Sequence, residues 1–239
     1  HETQHINLLF NNAGIGGGGS FVEGDREEWE RTFAVCWEGV YFGCRAFMAA
    51  LVASDEGHIV NTSSVNGFWA SLGTTQAHTS YAAAKFAVKG FTEALITDLR
   101  LHAPHVQCSV VMPGHIGTSI VENSSKVLGK AAGMDLPAEE VATVRERMLA
   151  AGLPVGNVLD DHIRQMLVDR AAAFRTKAPT TAATASSVIL DAVRNNQWRV
   201  LIGQDAHDLD RLVREAPQEA YEKSMIDKIN ELKHLEGLL

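Results

Sequence analysis

The sequence predicts an α/β protein in which helices cover both faces of a parallel sheet. Short segments that are apolar at every position alternate along the chain with longer segments of helical periodicity, as expected for strands buried on both faces. Because crossovers between parallel strands are right-handed, this order gives a Rossmann-like, doubly wound sheet. No linker or internal repeat interrupts the pattern, so residues 1–239 are expected to form a single domain.

The elements follow one another from the first residues onward. Residues 6–10 form an apolar run that enters an Asn-Asn-Ala-Gly turn, which predicts the first strand, and the glycine-rich residues 14–19 predict a flexible loop. Asp25 is expected to cap a helix that extends to about residue 53, because large apolar residues recur there every three or four positions. The other core elements are expected as strands at 58–60, 106–112 and 198–202, and as helices at 81–101, at 182–193 and from 208 onward.

Residues 119–177 differ from the rest of the chain. They lack strand-like segments and are helical and polar, with breaks at Pro137 and Pro154. A long excursion between two core elements is often a lid or a substrate-binding insertion. The sequence therefore predicts a helical, substrate-binding insertion here, although its apolar side chains could equally be ordinary helix core.

The composition excludes several classes of protein. With 29 acidic and 21 basic side chains, the net charge is −8, a sign that repels nucleic acids and anionic membrane surfaces. The longest apolar run, residues 46–53, is far shorter than the roughly 20 residues of a membrane span. Cys36, Cys44 and Cys108 form no CxxC pair, which is typical of free thiols in a reducing compartment. We therefore expect a cytoplasmic protein without a nucleic-acid or membrane partner.

Polar residues follow two of the predicted strands and begin one of the predicted helices. Tyr81 and Lys85 are one helical turn apart on one face. The positive charge of Lys85 could lower the pKa of the Tyr81 phenol from its reference value of about 10. Ser64 follows the second strand, and residues 113–118 form a turn after the third. The alternatives are a Tyr packed on a Lys stem, a turn-capping Ser and an ordinary strand-ending turn. Because parallel strands end at the edge where ligands bind, we expect these residues to converge.

Three other functional patterns are rejected. Residues 14–19 satisfy G-x-G-x-x-G, but the fingerprint needs a helix to begin at its last glycine, and the next helix is expected only at Asp25. His102, His105 and His115 lack a neighbouring Cys or carboxylate cluster, so no metal site is expected. No G-x-S-x-G nucleophile elbow is present, which argues against a hydrolase of that type.

Taken together and in this order, the motifs resemble those of the short-chain dehydrogenase/reductase family. The resemblance extends from about residue 6 to residue 203. It implies an NAD(P)-dependent oxidoreductase that interconverts a secondary alcohol and a ketone by hydride transfer. Tyr81 would be the general acid/base, Lys85 would hold the nicotinamide ribose and lower the pKa of Tyr81, and Ser64 would orient the substrate oxygen. This agrees with the chemistry, since a carbinol loses its hydride only as its hydroxyl proton leaves.

The same resemblance assigns the other contacts. The partner is a small alcohol or ketone, the cofactor is NAD or NADP, and a homodimer or homotetramer through the long helices is implied. The choice between the two cofactors is not indicated. The catalytic residues would be Ser64, Tyr81 and Lys85, and the cofactor-binding residues would be Asn11, Asn12, Ala13, Gly14, Tyr81, Lys85, Pro113, Gly114, Ile116 and Thr118.

Two features depart from the family pattern. Cys36 lies where these enzymes usually carry an Asn that completes a proton relay, and a thiol is a weak hydrogen-bond partner. Only ten residues precede Asn11, so the phosphate-binding loop and its strand are expected to be missing, with weak dinucleotide binding as a consequence. The alternative function is therefore a catalytically weak or inactive nucleotide-binding or interaction protein of the same fold.

Overall fold

The computed structural model describes residues 6–71, 77–150 and 152–232, and its core is a four-stranded parallel sheet. The strand order is β1-β2-β3-β6, and Phe10 lies opposite Val60 in the first pair. The parallel pairing confirms the predicted doubly wound α/β architecture. The strands are β1 (Leu8–Asn11), β2 (Gly57–Thr62), β3 (Val106–Pro113) and β6 (Arg199–Ile202).

Helices cover the two faces of this sheet. Ile59 of β2 points into a cluster with Val88 of helix α3 (Thr79–His102), whereas the next residue, Val60, points into a cluster with Ala185 of helix α7 (Ala182–Arg194). Successive strand residues face opposite sides of a sheet, so α3 and α7 lie on opposite faces.

One long helix is divided by a π-helical turn. It consists of α1 (Arg26–Phe33), the π-helical segment Ala34–Glu38 and α2 (Gly39–Val52). Asp25 accepts a hydrogen bond from the Glu28 amide at 2.8 Å, which confirms the predicted N-terminal cap. The prediction of a regular helix up to residue 53 was wrong in the middle, because a π-turn rotates all later side chains relative to the first turns.

This long helix buries only part of its apolar surface. Val40, Cys44 and Leu51 pack against the sheet, but Phe42 and Phe47 are 59% and 40% exposed. By length and composition alone the helix could cross a membrane, which the short apolar run at 46–53 did not indicate. One face of a sheet can cover only one side of a helix, so the other apolar side stays open.

The first strand also differs from its prediction. It begins at Leu8, and Leu8 and Phe10 are 40% and 43% exposed, although the apolar run predicted a strand covered on both faces. The exposed side chains belong to an edge strand that lies beside a cavity of about 230 Å³. The cavity is lined by Phe10, Asn12, Thr62, Ser186, Ile189 and Leu190.

The helical character predicted for residues 119–177 agrees with the structure. Among its described residues, this stretch contains the α-helices α4 (Ile120–Val127), α5 (Ala138–Ala150) and α6 (Asp160–Thr176). An unpredicted two-stranded ladder, β4 (Ile116–Gly117) and β5 (Thr180–Thr181), pairs the two ends of the stretch. Two-residue strands carry no periodicity, so the sequence could not indicate them.

In the described part of the chain, β6 is followed by helices α8 (Gln204–Glu215) and α9 (Lys223–Glu231). Helix α8 begins four residues earlier than the predicted 208, directly after Gly203 with φ of 97°. Helix α9 packs with α8 in a cluster around Trp69, whose Nε1 donates to the Ala220 carbonyl at 2.6 Å.

A buried polar network fastens β1, β2 and α3 together. The Asn11 amide donates to Asn61 Oδ1 at 2.8 Å, and the Asn61 amide donates to Thr92 Oγ1 at 3.0 Å. Thr92 in turn donates to the Val88 carbonyl at 2.7 Å. Since Asn61 and Thr92 are fully buried, each partner matters, because an unsatisfied buried group costs its full desolvation free energy.

We expect Thr92→Val to lower the free energy of unfolding by about 1–3 kcal/mol, because it preserves shape but leaves the Asn61 amide without its acceptor. Thr97→Val is the matched control, since Thr97 is exposed on the same helix, and its effect should stay within about 0.5 kcal/mol. Urea unfolding followed by circular dichroism measures both. Equal effects of the two substitutions would contradict the role given to the network.

Candidate active site

The predicted catalytic residues meet at the carboxyl edge of the sheet. Helix α3 carries Tyr81 and Lys85 in its first turns, and Ser64 lies just beyond the end of β2. The Lys85 Nζ lies 5.4 Å from the centroid of the Tyr81 ring and donates to the Thr62 carbonyl at 2.9 Å. An open α/β sheet binds ligands at this edge, so the position suits a catalytic group.

Burial determines the protonation of this pair. Removal from water lowers the pKa of Lys85 and raises the pKa of Tyr81. Cys36 raises the pKa of Tyr81 further, and a hydrogen bond with Ser64 opposes these two effects. The lowering of the Tyr81 pKa that the resemblance implied does not occur among the described residues, because desolvation of the phenol dominates. The phenol therefore keeps its proton at neutral pH.

The π-helical turn places Cys36 beside this pair. Its side chain is fully buried and packs with Ile15 in a cluster that Tyr81 also touches. The thiol donates to the Ile15 carbonyl at 3.2 Å. An added Cβ on Gly14 would lie 3.5 Å from Lys85 Nζ and 4.0 Å from Cys36 Sγ, so Gly14 covers both groups.

Ser64 has two roles in the structure. Its hydroxyl accepts a hydrogen bond from the Asn66 amide at 3.1 Å, which caps the short 3₁₀ turn Val65–Gly67. The same side chain lies near the Tyr81 phenol and lowers its pKa. Its neighbour Ser63, which the sequence did not single out, donates to the Lys85 carbonyl at 2.7 Å and fixes β2 to α3.

The Asn-Asn-Ala-Gly turn contributes unequally to the site. Asn11 directs its side chain into the buried network with Asn61, so only its backbone remains available for the predicted cofactor contact. Asn12 and Ala13 are exposed, and Asn12 Oδ1 accepts a hydrogen bond from Thr62 Oγ1 at 2.9 Å. Gly14 lies next to Lys85.

The turn at 113–118 is held by backbone contacts. The Gly114 amide donates to the Ile202 carbonyl at 3.0 Å, and the Thr118 amide donates to the Ile116 carbonyl at 2.8 Å. Ile116 directs its side chain into the core, so only its backbone can make the predicted cofactor contact. Pro113 is partly exposed at the end of β3.

His78 is a site residue that sequence reasoning missed. Its ring centroid lies 4.6 Å from that of Tyr81, and burial lowers the pKa of His78 to about 4, so the imidazole is neutral at physiological pH. Its position three residues before Tyr81 was the available signal. His78 also borders a cavity of about 610 Å³, which is lined by Ala70, Ser71, Ala77, His78, Thr79, Ala82, Ala83, Phe86 and Tyr221.

The glycine loop at 14–19 lacks the helix that a dinucleotide fingerprint requires. No helix begins at its last glycine, since α1 starts at Arg26. The Gly16 amide donates to Ser124 Oγ at 2.8 Å and the Gly18 amide to Glu28 Oε1 at 3.1 Å. Two of the amides that could bind a phosphate are therefore occupied by protein side chains, one of them an acidic group.

Within the described ranges, no group of three or more His, Cys, Asp or Glu side chains is arranged to hold a metal ion. The histidines considered from the sequence hydrogen-bond to protein groups instead. Their partners are Asp98 for His102, the Val52 carbonyl for His105 and the Phe174 carbonyl for His115.

The residues at the sheet edge fit the nicotinamide and ribose side of a dinucleotide. An ammonium group has three donors, and the residues described here give Lys85 Nζ one hydrogen-bond acceptor, the Thr62 carbonyl. The absence of a side chain at Gly14 leaves space above this ammonium. Lys85 can therefore donate to the hydroxyls of a ribose placed over Gly14.

Comparison with known proteins identifies relatives that are named as oxidoreductases or dehydrogenases. Residues 1–128 match the sequence model of the short chain dehydrogenase family. The chain is 31% identical over 209 residues to the protein of Mycobacterium tuberculosis named as the oxidoreductase SadH, a match that covers 87% of this chain and 62% of SadH. It is 33% identical over 117 residues to a 3-alpha-(or 20-beta)-hydroxysteroid dehydrogenase of Mycobacterium bovis, which covers 49% of this chain and 43% of that protein.

Solved structures agree with this relationship. A short chain dehydrogenase/reductase of Burkholderia phymatum in complex with NAD is 27% identical, with a TM-score of 0.60, covering 90% of this chain and 67% of that one. A Burkholderia cenocepacia short chain dehydrogenase in complex with NADP, 20% identical with a TM-score of 0.53, covers 90% and 67% and shows the same fold. With more than half of its residues matching the family's sequence pattern, the chain belongs to the short-chain dehydrogenase family.

Proposed function

We propose that the protein is an NAD(P)-dependent oxidoreductase that interconverts a secondary alcohol and a ketone. The observation that supports this most strongly is the buried Lys85 ammonium, which lies beside the Tyr81 phenol at the carboxyl edge of the sheet. A buried charge is expensive, and one that faces a phenol in a ligand-binding edge is a candidate for catalysis. NAD- and NADP-bound relatives of the same fold support the choice of cofactor.

In this mechanism bound NAD(P) would supply or take up the hydride at the substrate carbon. Tyr81 transfers the proton at the substrate oxygen, and Ser64, which lies near Tyr81, orients that oxygen. Lys85 holds the ribose and keeps a positive charge beside the phenol. In the reducing direction the carbonyl carbon gains the hydride and its oxygen gains the Tyr81 proton, which solvent then replaces.

The protonated phenol of Tyr81 favours ketone reduction over alcohol oxidation. Burial keeps the Tyr81 proton in place at neutral pH, and an acid that holds its proton can donate it to a carbonyl oxygen. Alcohol oxidation requires the phenolate, whose formation needs extra positive charge or higher pH.

The insertion at 119–177 is the proposed substrate cover. Helix α4 already contacts the glycine loop through the bond from the Gly16 amide to Ser124 Oγ, and the segment after it reaches α1 through the Lys130–Glu28 ion pair. An insertion held over the Tyr81 side of the sheet can exclude water from the reaction.

A catalytically weak or inactive nucleotide-binding protein is the second candidate. Cys36 favours this second candidate, because its thiol already donates to the Ile15 carbonyl and a thiol is a weak hydrogen-bonding group for a proton relay. The chain spans only 62% of the length of SadH. The activity of the whole protein is therefore part of this proposal.

We also propose a cytoplasmic homodimer or homotetramer formed through the open side of the long helix. Phe42, Phe47 and Val52 leave apolar surface exposed there, and a second copy of the chain can cover it by symmetry. The same helix carries Cys36 into the site and packs on the sheet, so we infer that it remains part of the folded domain rather than crossing a bilayer.

Tyr81→Phe is expected to lower kcat for ketone reduction by about 10²- to 10⁴-fold, the contribution typical of a general acid. NADPH and NADH oxidation at 340 nm with a panel of ketones measures it. Tyr41→Phe is the control, because Tyr41 is an exposed tyrosine outside the site. Nearly full turnover by Tyr81→Phe would rule out the assigned role.

Lys85→Met is expected to weaken NAD(P) binding by about tenfold or more, equivalent to about 1.4 kcal/mol, because it removes the ammonium but keeps the length of the side chain. Lys89→Met, one turn later and paired with Glu93, is the matched control and should leave the Kd unchanged. Calorimetric titration with both cofactors gives the values. Unchanged affinity in Lys85→Met would contradict the proposed ribose contact.

Phe42→Glu is expected to dissociate the oligomer, since it places a charge in the proposed apolar interface. Light scattering at micromolar concentration measures the mass. Val22→Glu introduces the same charge at a side chain that is 92% exposed outside this helix and should leave the mass unchanged. A monomeric wild-type protein would refute the interface.

A further inference from the structure

Asp205 is a buried carboxylate that belongs to no part of the proposed reaction. It lies in the first turn of α8 and is 1% exposed. Its Oδ2 accepts a hydrogen bond from the His115 amide at 2.5 Å, across 90 positions of sequence. His115 is in the middle of the turn at 113–118, so a side chain of α8 holds the backbone of a loop at the edge of the active site.

The surrounding backbone is shaped to accept this carboxylate. An added Cβ on Gly114 would lie 2.1 Å from Asp205 Oδ2, and one on Gly203 would lie 2.1 Å from Asp205 Oδ1. Gly203 also has φ of 97°, a conformation that residues with a side chain rarely adopt. Two glycines, one on each side, therefore allow the carboxylate to approach the loop closely.

The carboxylate is retained at an energetic cost. Asp205 Oδ1 is buried without a hydrogen-bond partner in the described structure, and a buried acid with an unsatisfied oxygen is destabilising unless other groups compensate. The positive end of the α8 dipole supplies part of that compensation, because Asp205 lies in the first turn. A residue that served only to begin the helix would not need to be buried beneath another loop.

His115 also connects this loop to the insertion at 119–177. The His115 ring hydrogen-bonds through Nε2 to the Phe174 carbonyl at 2.7 Å, and its centroid lies 4.2 Å from that of the Phe174 ring. Phe174 is in the last turn of α6. One side of His115 is therefore fixed to α8 through its amide, and the other is fixed to the insertion through its ring.

We propose that Asp205 is a positioning residue for the cofactor. By holding the His115 amide, it keeps residues 113–118 in the shape that meets the nicotinamide side of NAD(P), and through His115 it also fixes the end of α6. Asp205 acts through the loop backbone and does not touch the cofactor itself. This inference rests on the proposed function for the role of the loop, whereas the contact itself is independent of it.

The test must separate positioning of the loop from general stability of α8. Asp210 provides the matched control, because it is a largely buried carboxylate on the same helix that is paired with Arg199 at 2.6 Å and Arg214 at 3.0 Å. Asp210→Asn should destabilise α8 without changing the loop. Asp205→Ala removes the acceptor completely, and Asp205→Asn retains an oxygen that can still accept from the His115 amide.

Two measurements on the full-length protein decide the outcome. Hydrogen exchange, followed by mass spectrometry of peptides that contain residues 113–118, should accelerate at least about tenfold in Asp205→Ala, less in Asp205→Asn and not in Asp210→Asn. The Kd for NADH and NADPH, from nucleotide fluorescence, should rise about tenfold or more in Asp205→Ala, with partial recovery in Asp205→Asn.

Unchanged loop exchange in both Asp205 variants would overturn the proposal. It would also fail if Asp205→Ala and Asp210→Asn lowered the melting temperature equally and left the Kd equally unchanged. If Asp205→Ala does not fold, Asp205→Asn decides between these outcomes alone. If the wild-type protein binds neither NADH nor NADPH, the proposed function fails instead, and the exchange of residues 113–118 still shows whether Asp205 holds the loop.

Discussion

The buried ammonium of Lys85 is the constraint on which the site depends. A charge removed from water must be given hydrogen-bond partners, and the Thr62 carbonyl at the end of β2 provides one at 2.9 Å. That contact fixes the distance between α3 and the sheet edge, and with it the position of Tyr81 one turn earlier. The chain also passes close to this ammonium at Gly14, where an added Cβ would lie 3.5 Å from Lys85 Nζ. The geometry of the proposed active site is thus a consequence of where the backbone can accept a hydrogen bond from one cation.

The glycine loop illustrates how a single sequence feature can serve a different purpose from the one its pattern indicates. Its glycines allow close contact with α1 and α4, where the Gly16 and Gly18 amides meet Ser124 and Glu28. The contact with Ser124 holds helix α4 of the insertion next to the sheet. The loop therefore joins the proposed substrate cover to the scaffold, and its small residues are explained by packing rather than by phosphate binding.

The sequence predicted the elements whose signals are local. Parallel strands were recognisable as continuous apolar runs, and the cap at Asp25 followed from a side chain and an amide three residues apart. The convergence of Ser64, Tyr81 and Lys85 followed from the topology of parallel sheets. The π-helical turn at 34–38 was not predictable, since its signal in the sequence is a shift of the apolar spacing by only one position. Contacts such as Asp205 with His115 lie 90 positions apart, beyond any periodicity.

The two buried charges at this edge each bind backbone, in complementary ways. Strands that end at an edge leave carbonyl groups without ladder partners, and the loops that follow them present free amides. Lys85 uses a carbonyl at the end of β2, and Asp205 uses an amide in the loop after β3. Neither is paired with the other, so each charge orders the backbone of a different strand end. Buried charge therefore contacts the backbone at two strand ends of the edge where a cofactor would bind.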